Sequence, residues 1–375
     1  MHENIYREHL KKVYFASRKV LLKSLGLAID SHEGTLHTKQ PRIVVYGLRR
    51  LGDMVISLPA IEALREGYKD ASIMLVATEY NKGIAAGPCV DEIIAEPSGM
   101  IGKTKLLSRL ASYGFDIALD LTCDTDIFPA YALYRSGAKV RVGYDVEGRG
   151  VFYTRPQRAA FKGKHAAELL MDLVKASVGG PLPSYRIIPH YVPPSEEVAY
   201  AGAYRAEKAL RSPLLGVHPG AYFPSQRWPV ERFAQTIDEL TTRGTIADTL
   251  VFGSSRDEKS IGELLGLLAV AHPHIVLNMP VPRFAALINV CDVFLCNNSG
   301  PLHLAAAMGV PAVSMMGPTD YDLWRPLGER NIVIRKNTKC SPCNFAKCKG
   351  HECMRMIMVR EVINAVEKQL DGLPR

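Results

Sequence analysis

From residue 42 onward, apolar runs of strand length alternate with amphipathic stretches of helix length, and this alternation restricts the fold more than any other feature. "RIVVYG", "ASIMLVAT", "FDIALDLT" and "KVRVGY" read as strands; "DMVISLPAIEALREGY" and "AYALYRSGA" read as helices between them. A second series runs "PLLGVHPG", "VERFAQTIDELTTRG", "TLVFGSS", "KSIGELLGLLAVA", "HIVLN", "PRFAALINV", "DVFLCNN" and "PAVSMMG", closing with a helix near "REVINAVEKQL". Such alternation places parallel strands in a sheet with helices on both faces. A chain of 375 residues exceeds one ordinary core. The expected architecture is α/β, two Rossmann-like doubly wound domains facing a cleft and joined around "PHYVPPSEEVAYAG", residues 189–202. The boundaries follow as an extension over 1–40, a leading domain over 41–195 and a trailing domain over 196–375. Ligands of such sheets sit beyond the carboxyl ends of the strands.

Four strand-to-helix turns carry candidate chemistry. In "CNNSGPLHLAAAMGVP" a buried strand meets Asn297, Asn298, Ser299 and Gly300, then Pro301 and His303. Serine suits an N-cap and proline the first turn of a helix, so backbone N–H groups here point outward at an anion. In "YGLRRLGDMVISLPAI" Asp53 falls at a helix start, either as a plain N-cap or as a general base. In "GVHPGAYFPSQRWPVERF" Gly220 belongs to a turn with cleft-facing N–H groups. Arg227 there is either a phosphate ligand or a solvated surface arginine. After "VFGSS", Asp257 and Glu258 are either ribose ligands or an exposed helix N-cap.

A net charge of +8 favours acidic partners, and no nucleic-acid recognition motif or aromatic–basic platform accompanies it. No apolar run approaches the roughly 20 residues of a membrane-spanning helix, and no signal-peptide pattern occurs, so a cytoplasmic location is expected. Within residues 1–40, Leu10, Val13, Tyr14, Leu21, Leu25 and Ala28 recur at near-helical spacing beside Arg7, Lys11, Lys12, Arg18, Lys19 and Lys23. That stripe either lies on an anionic membrane surface or packs on the protein itself. Of eight cysteines, four are scattered as small apolar residues, and Cys340, Cys343, Cys348 and Cys353 form C-x2-C-x4-C-x4-C. In a reducing compartment that cluster suggests a structural thiolate site for zinc or iron, with Lys336, Lys339, Lys347 and Lys349 lowering thiol pKa values; disulfides and free thiols stay open. Asp124-Thr125-Asp126 has D-x-D form but lies outside the expected donor domain.

Together "LGDMVISLPAIEAL", "RVGY", "KHAAELLMDLV", "GVHPGAYFPSQRWPVERFA", "NNSGPLHLAAAMGVPAVSMMGPTD" and "CSPC…CM" resemble glycosyltransferase family 9, the ADP-heptose:lipopolysaccharide heptosyltransferases. The resemblance runs from about residue 41 to 370. It implies a GT-B architecture, with the acceptor bound mainly by the first domain and the nucleotide-sugar by the second. It implies inverting, metal-independent transfer of L-glycero-D-manno-heptose from ADP-heptose, with Asp53 in the place of the catalytic aspartate. Donor contacts then fall on Asn298, Ser299, Gly300 and His303, the last as a phosphate contact or a brace of the turn. Gly220, Gln226, Arg227, Asp257, Glu258 and Met279 complete the candidate donor set. Gln226 stands where members commonly carry lysine, and Asn298 where they often carry aspartate. The final helix is expected to pack back on the first domain.

The function expected from these readings is an inverting heptosyltransferase of the lipopolysaccharide core region. It would act on a phosphorylated, lipid-linked saccharide, with possible peripheral contact at the inner face of the cytoplasmic membrane. The alternatives are a protein O-heptosyltransferase of the autotransporter type, suggested by the cysteines, and a nucleotide-sugar binding protein without turnover, suggested by Gln226 and Asn298.

Overall fold

The computed structural model describes residues 14–22, 24, 38, 40–178, 182 and 185–372. Contacts divide these into two units: one comprises the chain up to Arg49 together with Ser57–Ile187, the other Arg50–Ile56 together with the chain from Ile188 onward.

In the first unit, β1 (Arg42–Tyr46), β2 (Ser72–Ala77), β3 (Glu92–Ala95), β4 (Ile117–Asp120), β5 (Val140–Tyr144) and β6 (Arg155–Gln157) form one sheet. The order is β3-β2-β1-β4-β5-β6, and every pairing is parallel. Strands buried on both faces read as continuous apolar runs, which is why β1, β2 and β4 stand out in the sequence. β3 ("EIIA") and β6 ("RPQ") are short edge strands with little such signal. Beyond β4, a buried Arg149 donates to Asp120, and Tyr153 Oη and Thr122 Oγ1 each donate to that carboxylate at 2.6 Å. This network fixes the turn that carries Asp124 and Asp126. Asp126 is engaged by Arg49 Nη1 at 2.6 Å and by the Phe128 N–H at 3.0 Å, so the D-x-D residues brace the loop.

Much of the basic N-terminal stripe lies outside the described residues. Helical residues 14–22 dock on the first unit through one face. Arg18 donates to the carbonyls of Thr125 (2.7 Å) and Glu147 (3.0 Å), while Leu22 is buried beside Ala130, Phe152 and Tyr153. Tyr14, Val20 and Leu21 on the same segment stay exposed. Both readings of the stripe therefore find residues that suit them.

In the second unit, β7 (Leu214–His218), β8 (Asp248–Gly253), β9 (His274–Leu277), β10 (Val293–Asn297), β11 (Ala312–Met315) and β12 (Asn331–Ile334) form a sheet in the order β12-β11-β10-β7-β8-β9. All pairings are again parallel. In each sheet the first strand lies at the centre between the second and fourth, the doubly wound order of dinucleotide-binding folds. One sheet face buries Leu215, Val217, Val251, Leu295 and Val313 against Phe233, Ile237 and Leu240 of the helix Val230–Thr242.

Two expectations change here. The joining stretch 189–202 holds much of a helix, Ser195–Glu207, started after Pro194 with Glu196 and Glu197 in its first turn. Its Glu197 pairs with Arg283 Nε at 2.7 Å, and Arg283 lies over the Tyr200 ring. The last helix, Val359–Asp371, was expected to pack on the first domain. Its buried face, Val362, Ile363, Ala365 and Val366, joins the core of the second unit because that amphipathic stripe covers β10–β12.

Candidate functional site

β7 and β10 are neighbours, and the chain leaves them toward strands on opposite sides of the sheet. Their carboxyl ends therefore open the crevice at which such sheets bind ligands. The turn after β7 is "HPGA" and the turn after β10 is "NSG". One fully buried side chain ties them together. Asn297, the last residue of β10, accepts the Trp228 N–H at Oδ1 (2.9 Å) and donates through Nδ2 to the carbonyls of Pro219 (2.7 Å) and Gly220 (3.3 Å). Only a carboxamide offers an acceptor and two donors at this size. The sequence reading named Asn297 in this turn but gave it no role; its place at the end of a buried strand, just before a tight turn, was the available signal.

Ser299 takes the N-cap position with extended backbone, but its hydroxyl donates to the Asn297 carbonyl at 3.2 Å and does not cap the helix. The helix Gly300–Ala307 thus starts with no side-chain cap, leaving the positive end of its dipole for another partner. Asn298 and His303 are buried beside it.

The start of the helix Leu51–Gly67 lies against this same turn, and Arg50–Ile56 is grouped with the second unit for that reason. A Cβ on Gly52 would stand 2.9 Å from His303 Cδ2 and 3.1 Å from Gly300 Cα. One on Gly300 would stand 3.0 Å from Gly52 N and 3.0 Å from Leu51 Cβ. Two glycines therefore let two helix starts meet backbone to backbone. Half-buried Asp53 occupies the first turn of one of them, one residue beyond the contact.

The remaining candidates divide by what already holds them. Arg227 donates through Nε (3.1 Å) and Nη2 (3.0 Å) to the Ala221 carbonyl, closing the loop after β7; it is neither a freely solvated arginine nor wholly available to a ligand. Gln226 donates through Nε2 to Thr319 Oγ1 at 3.0 Å, joining that loop to the turn after β11. Exposed Arg50, absent from the expected set, lies 4.6 Å from the Tyr222 ring centroid. Met279 is half-buried and Glu258 is exposed.

Asp257 takes the N-cap position of the helix Glu258–Leu267, but without a side-chain cap bond and not exposed as expected. It is buried, and Oδ2 accepts the N–H (3.0 Å) and O–H (2.7 Å) of Ser254. His218 Nε2 lies 3.8 Å away, an ion-pair separation longer than a hydrogen bond. Burial pushes the carboxyl up, but His218 and the Ser254 donors outweigh it and hold the group well below the usual carboxylate range. Gly220 leaves room for it: a Cβ there would meet Asp257 Oδ1 at 2.1 Å. Asp257 is thus built against the turn after β7 and is not an exposed cap.

Of the readings left open for the cysteine segment, the structure holds free thiols. Among the described residues, no group of three or more His, Cys, Asp or Glu side chains is gathered so that it could hold a metal ion. Cys340 and Cys348 are exposed, and Cys348 Sγ accepts the His351 N–H at 3.2 Å. Cys353 is buried beside Gly317; burial and the other three thiols push its pKa up, so the neighbouring lysines do not prevail there. Lys336 pairs instead with Glu361. As placed, the four cysteines do not fit a thiolate cage. The segment acts as a strap: Cys343 and Asn344 donate backbone N–H groups to the Pro318 carbonyl (3.0 and 2.8 Å), and His351 Nε2 donates to the Ser225 carbonyl at 2.8 Å. It thereby holds the loops after β7 and β11, the same two that Gln226 joins.

Comparison with known proteins agrees with this topology. The family Glycosyltransferase family 9 (heptosyltransferase) matches residues 103–353. Lipopolysaccharide heptosyltransferase 2 of Escherichia coli K12 is 26% identical over 315 residues, covering 78% of this chain and 88% of that protein. The E. coli ADP-heptose lps heptosyltransferase II structure superposes with a TM-score of 0.73 at 24% identity, over 88% of this chain and 98% of that one. A glycosyl transferase family 9 structure from Veillonella parvula DSM 2008 gives 0.80 at 24% identity, over 91% and 100%. The fold is accordingly the two-domain α/β arrangement of GT-B heptosyltransferases.

Proposed function

This chain belongs to glycosyltransferase family 9, the heptosyltransferases, and on that premise we propose that it transfers a heptose from ADP-L-glycero-D-manno-heptose, with inversion, to a lipopolysaccharide inner-core acceptor. The observation that supports the reading is the close approach of Gly52, the residue before Asp53, to Gly300 at the start of the helix Gly300–Ala307. An inverting transfer needs a base on the acceptor and a stabilised leaving group, and this contact brings candidates for both together.

In the proposed step the acceptor hydroxyl oxygen attacks the anomeric carbon, and Asp53 takes the hydroxyl proton. The bond from that carbon to the phosphate oxygen breaks, and ADP departs with the electron pair. Its growing charge is met by the amides and dipole at Gly300–His303 and by Arg227 of the loop after β7. The relatives named for lipopolysaccharide substrates support this choice of donor and acceptor class.

Replacing Asp53 by Asn tests the assignment. With ADP-heptose and a heptose-accepting core saccharide, kcat should fall by roughly 10²–10⁴, the usual worth of a general base, while ADP binding and far-UV circular dichroism stay unchanged. Turnover within a factor of ten of wild type removes Asp53 as the base.

A peripheral membrane site belongs to the same reading. No helix among the described residues is long and apolar enough to cross a membrane. Exposed Tyr14, Val20 and Leu21, with exposed Lys19, support surface contact with anionic lipid, as do Met100 and Ile101, exposed by 80% and 77%. Co-sedimentation with anionic vesicles should fall at least fivefold in Leu21→Glu/Ile101→Glu. Equal sedimentation of variant and wild type refutes the contact.

A further inference from the structure

Two arginines stand in the turn between β1 and Asp53, and the structure uses them differently. Arg49 is occupied by carboxylates: Nε and Nη2 donate to Glu96 at 2.8 and 2.6 Å, and Nη1 donates to Asp126 at 2.6 Å. Fully buried Asn81 adds a second hold, its Nδ2 donating to the carbonyls of Leu48 (3.1 Å) and Arg49 (2.9 Å). The turn is thus fixed through its backbone and through Arg49, whose charge is balanced where it lies.

Arg50 is the opposite case. It is exposed, and among the described residues its guanidinium makes no hydrogen bond or ion pair. Aromatic rings hold it instead. Its Cζ lies 4.6 Å from the Tyr222 ring centroid and 5.3 Å from that of Phe223, and the two rings meet edge to face at 84°. Both belong to the loop after β7, which Arg227 closes through the Ala221 carbonyl, so the platform stands on a braced turn. An aromatic face attracts a cation without cancelling its charge. It orders a long side chain and leaves the N–H fork open to a ligand, and that fork matches two oxygens of one phosphate.

Position indicates which phosphate. Arg50 lies three residues before Asp53, and its carbonyl accepts the Met54 N–H at 2.9 Å, so both residues belong to one helix start. Three residues of helix rise only about 4.5 Å. A sugar whose hydroxyl reaches Asp53 therefore carries its neighbouring substituents into the range of Arg50.

We infer that Arg50, steadied by Tyr222 and Phe223, binds a phosphate group of the saccharide acceptor and so selects phosphorylated acceptors over neutral ones. The inference rests on the proposed transfer with Asp53 as base and deepens it. No bond to Arg50 forms or breaks; the contact is one of recognition.

The test uses the full chain, ADP-heptose and one heptose-accepting core saccharide in two forms, phosphorylated and dephosphorylated. For wild type, removing the phosphate should raise the acceptor KM on the order of 10- to 100-fold, the range of a charge-assisted bidentate contact. Arg50→Gln should raise KM for the phosphorylated form by a similar factor. The two losses should not add, because each removes the same contact. Arg50→Lys, a point charge without the fork, and Tyr222→Ala, which removes the platform, should each give an intermediate loss. Titration calorimetry should show ADP affinity within about threefold of wild type in all three variants, less than the 1.4 kcal/mol of a tenfold change. Wild type that uses both saccharides equally overturns the inference, as do additive losses in Arg50→Gln. A loss of ADP affinity as large as the loss for the acceptor assigns Arg50 to the donor and overturns it too. If wild type transfers to neither saccharide, the transferase reading itself has failed, and this inference falls with it.

Discussion

Asn297→Asp changes one atom type in a side chain that holds three loop groups, so its consequence can be worked from the hydrogen bonds. Oδ1 keeps the Trp228 N–H. The other position turns from a donor into an anionic oxygen facing the carbonyls of Pro219 and Gly220, where the amide stood at 2.7 and 3.3 Å. Two hydrogen bonds worth about 0.5–1.5 kcal/mol each are lost, and buried acceptors left unpaired add about 1–3 kcal/mol. The sum is about 2–6 kcal/mol. For a unit of this size each kcal/mol lowers Tm by roughly 2–4 °C, so calorimetry should show a drop of at least about 4 °C. The turn after β7 should also loosen, raising KM for the nucleotide-sugar about tenfold while KM for the acceptor holds. Burial against two carbonyls raises the folded-state pKa of the introduced carboxyl above its unfolded value. The defect is therefore greatest at neutral pH and shrinks as pH falls through that raised value, because a protonated carboxyl donates to Pro219 again. A Tm within 1 °C of wild type, or a defect that deepens between pH 7 and pH 5, would refute the account.

Two further outcomes test the frame around the site. Asp120→Ala leaves Arg149 buried without its carboxylate, so urea unfolding should show a loss of about 3–5 kcal/mol; a loss below 1 kcal/mol would mean that the pair is not buried in solution. Asp238 accepts the N–H groups of Ala269, Val270 and Ala271; burial raises its pKa, but these bonds prevail and hold it below the usual range. Its stabilising contribution is complete above the unfolded value of about 3.9 and is lost as pH falls toward the lower folded value. Asp238→Asn should therefore lose less urea resistance than wild type between pH 5 and pH 2.5, and equal losses would refute the role.

Legibility in the sequence followed burial. Central strands such as β1, β7 and β10 are apolar along their whole length because helices cover both faces, and their alternation with helices was enough for the doubly wound class. β3, β6 and β12 are edge strands of three or four residues, too short to stand out, and a helix lay hidden in a stretch that Pro194 and two glutamates made resemble a linker. At the site, a strand-to-helix turn with glycine and proline was readable from local chemistry alone. The partners that set side-chain roles were not. Asp257 follows β8, as a ribose ligand would, yet its environment comes from His218 and Gly220 on another loop. Spacing likewise suggested a cage for the four cysteines. Besides one another, their segment meets Gly317, Pro318 and the loop after β7, which no count along the chain discloses.

The glycine pair explains why so much of the site depends on backbone. A side chain at position 52 or 300 would push apart two helix starts, since its Cβ would come within 2.9–3.1 Å of atoms across the contact. Overpacking there costs about 1–3 kcal/mol, and the larger consequence is geometric, since a displacement of about 1 Å is enough to reduce a positioned reaction about 100-fold. A base carried on a flexible loop would lose that registration with every fluctuation. Here the carboxylate sits in the first turn of the helix Leu51–Gly67, and the proposed leaving-group amides belong to the start of the helix Gly300–Ala307. Their separation is set by the closest approach that two polypeptide backbones allow, so both glycines are as much a part of the proposed chemistry as Asp53.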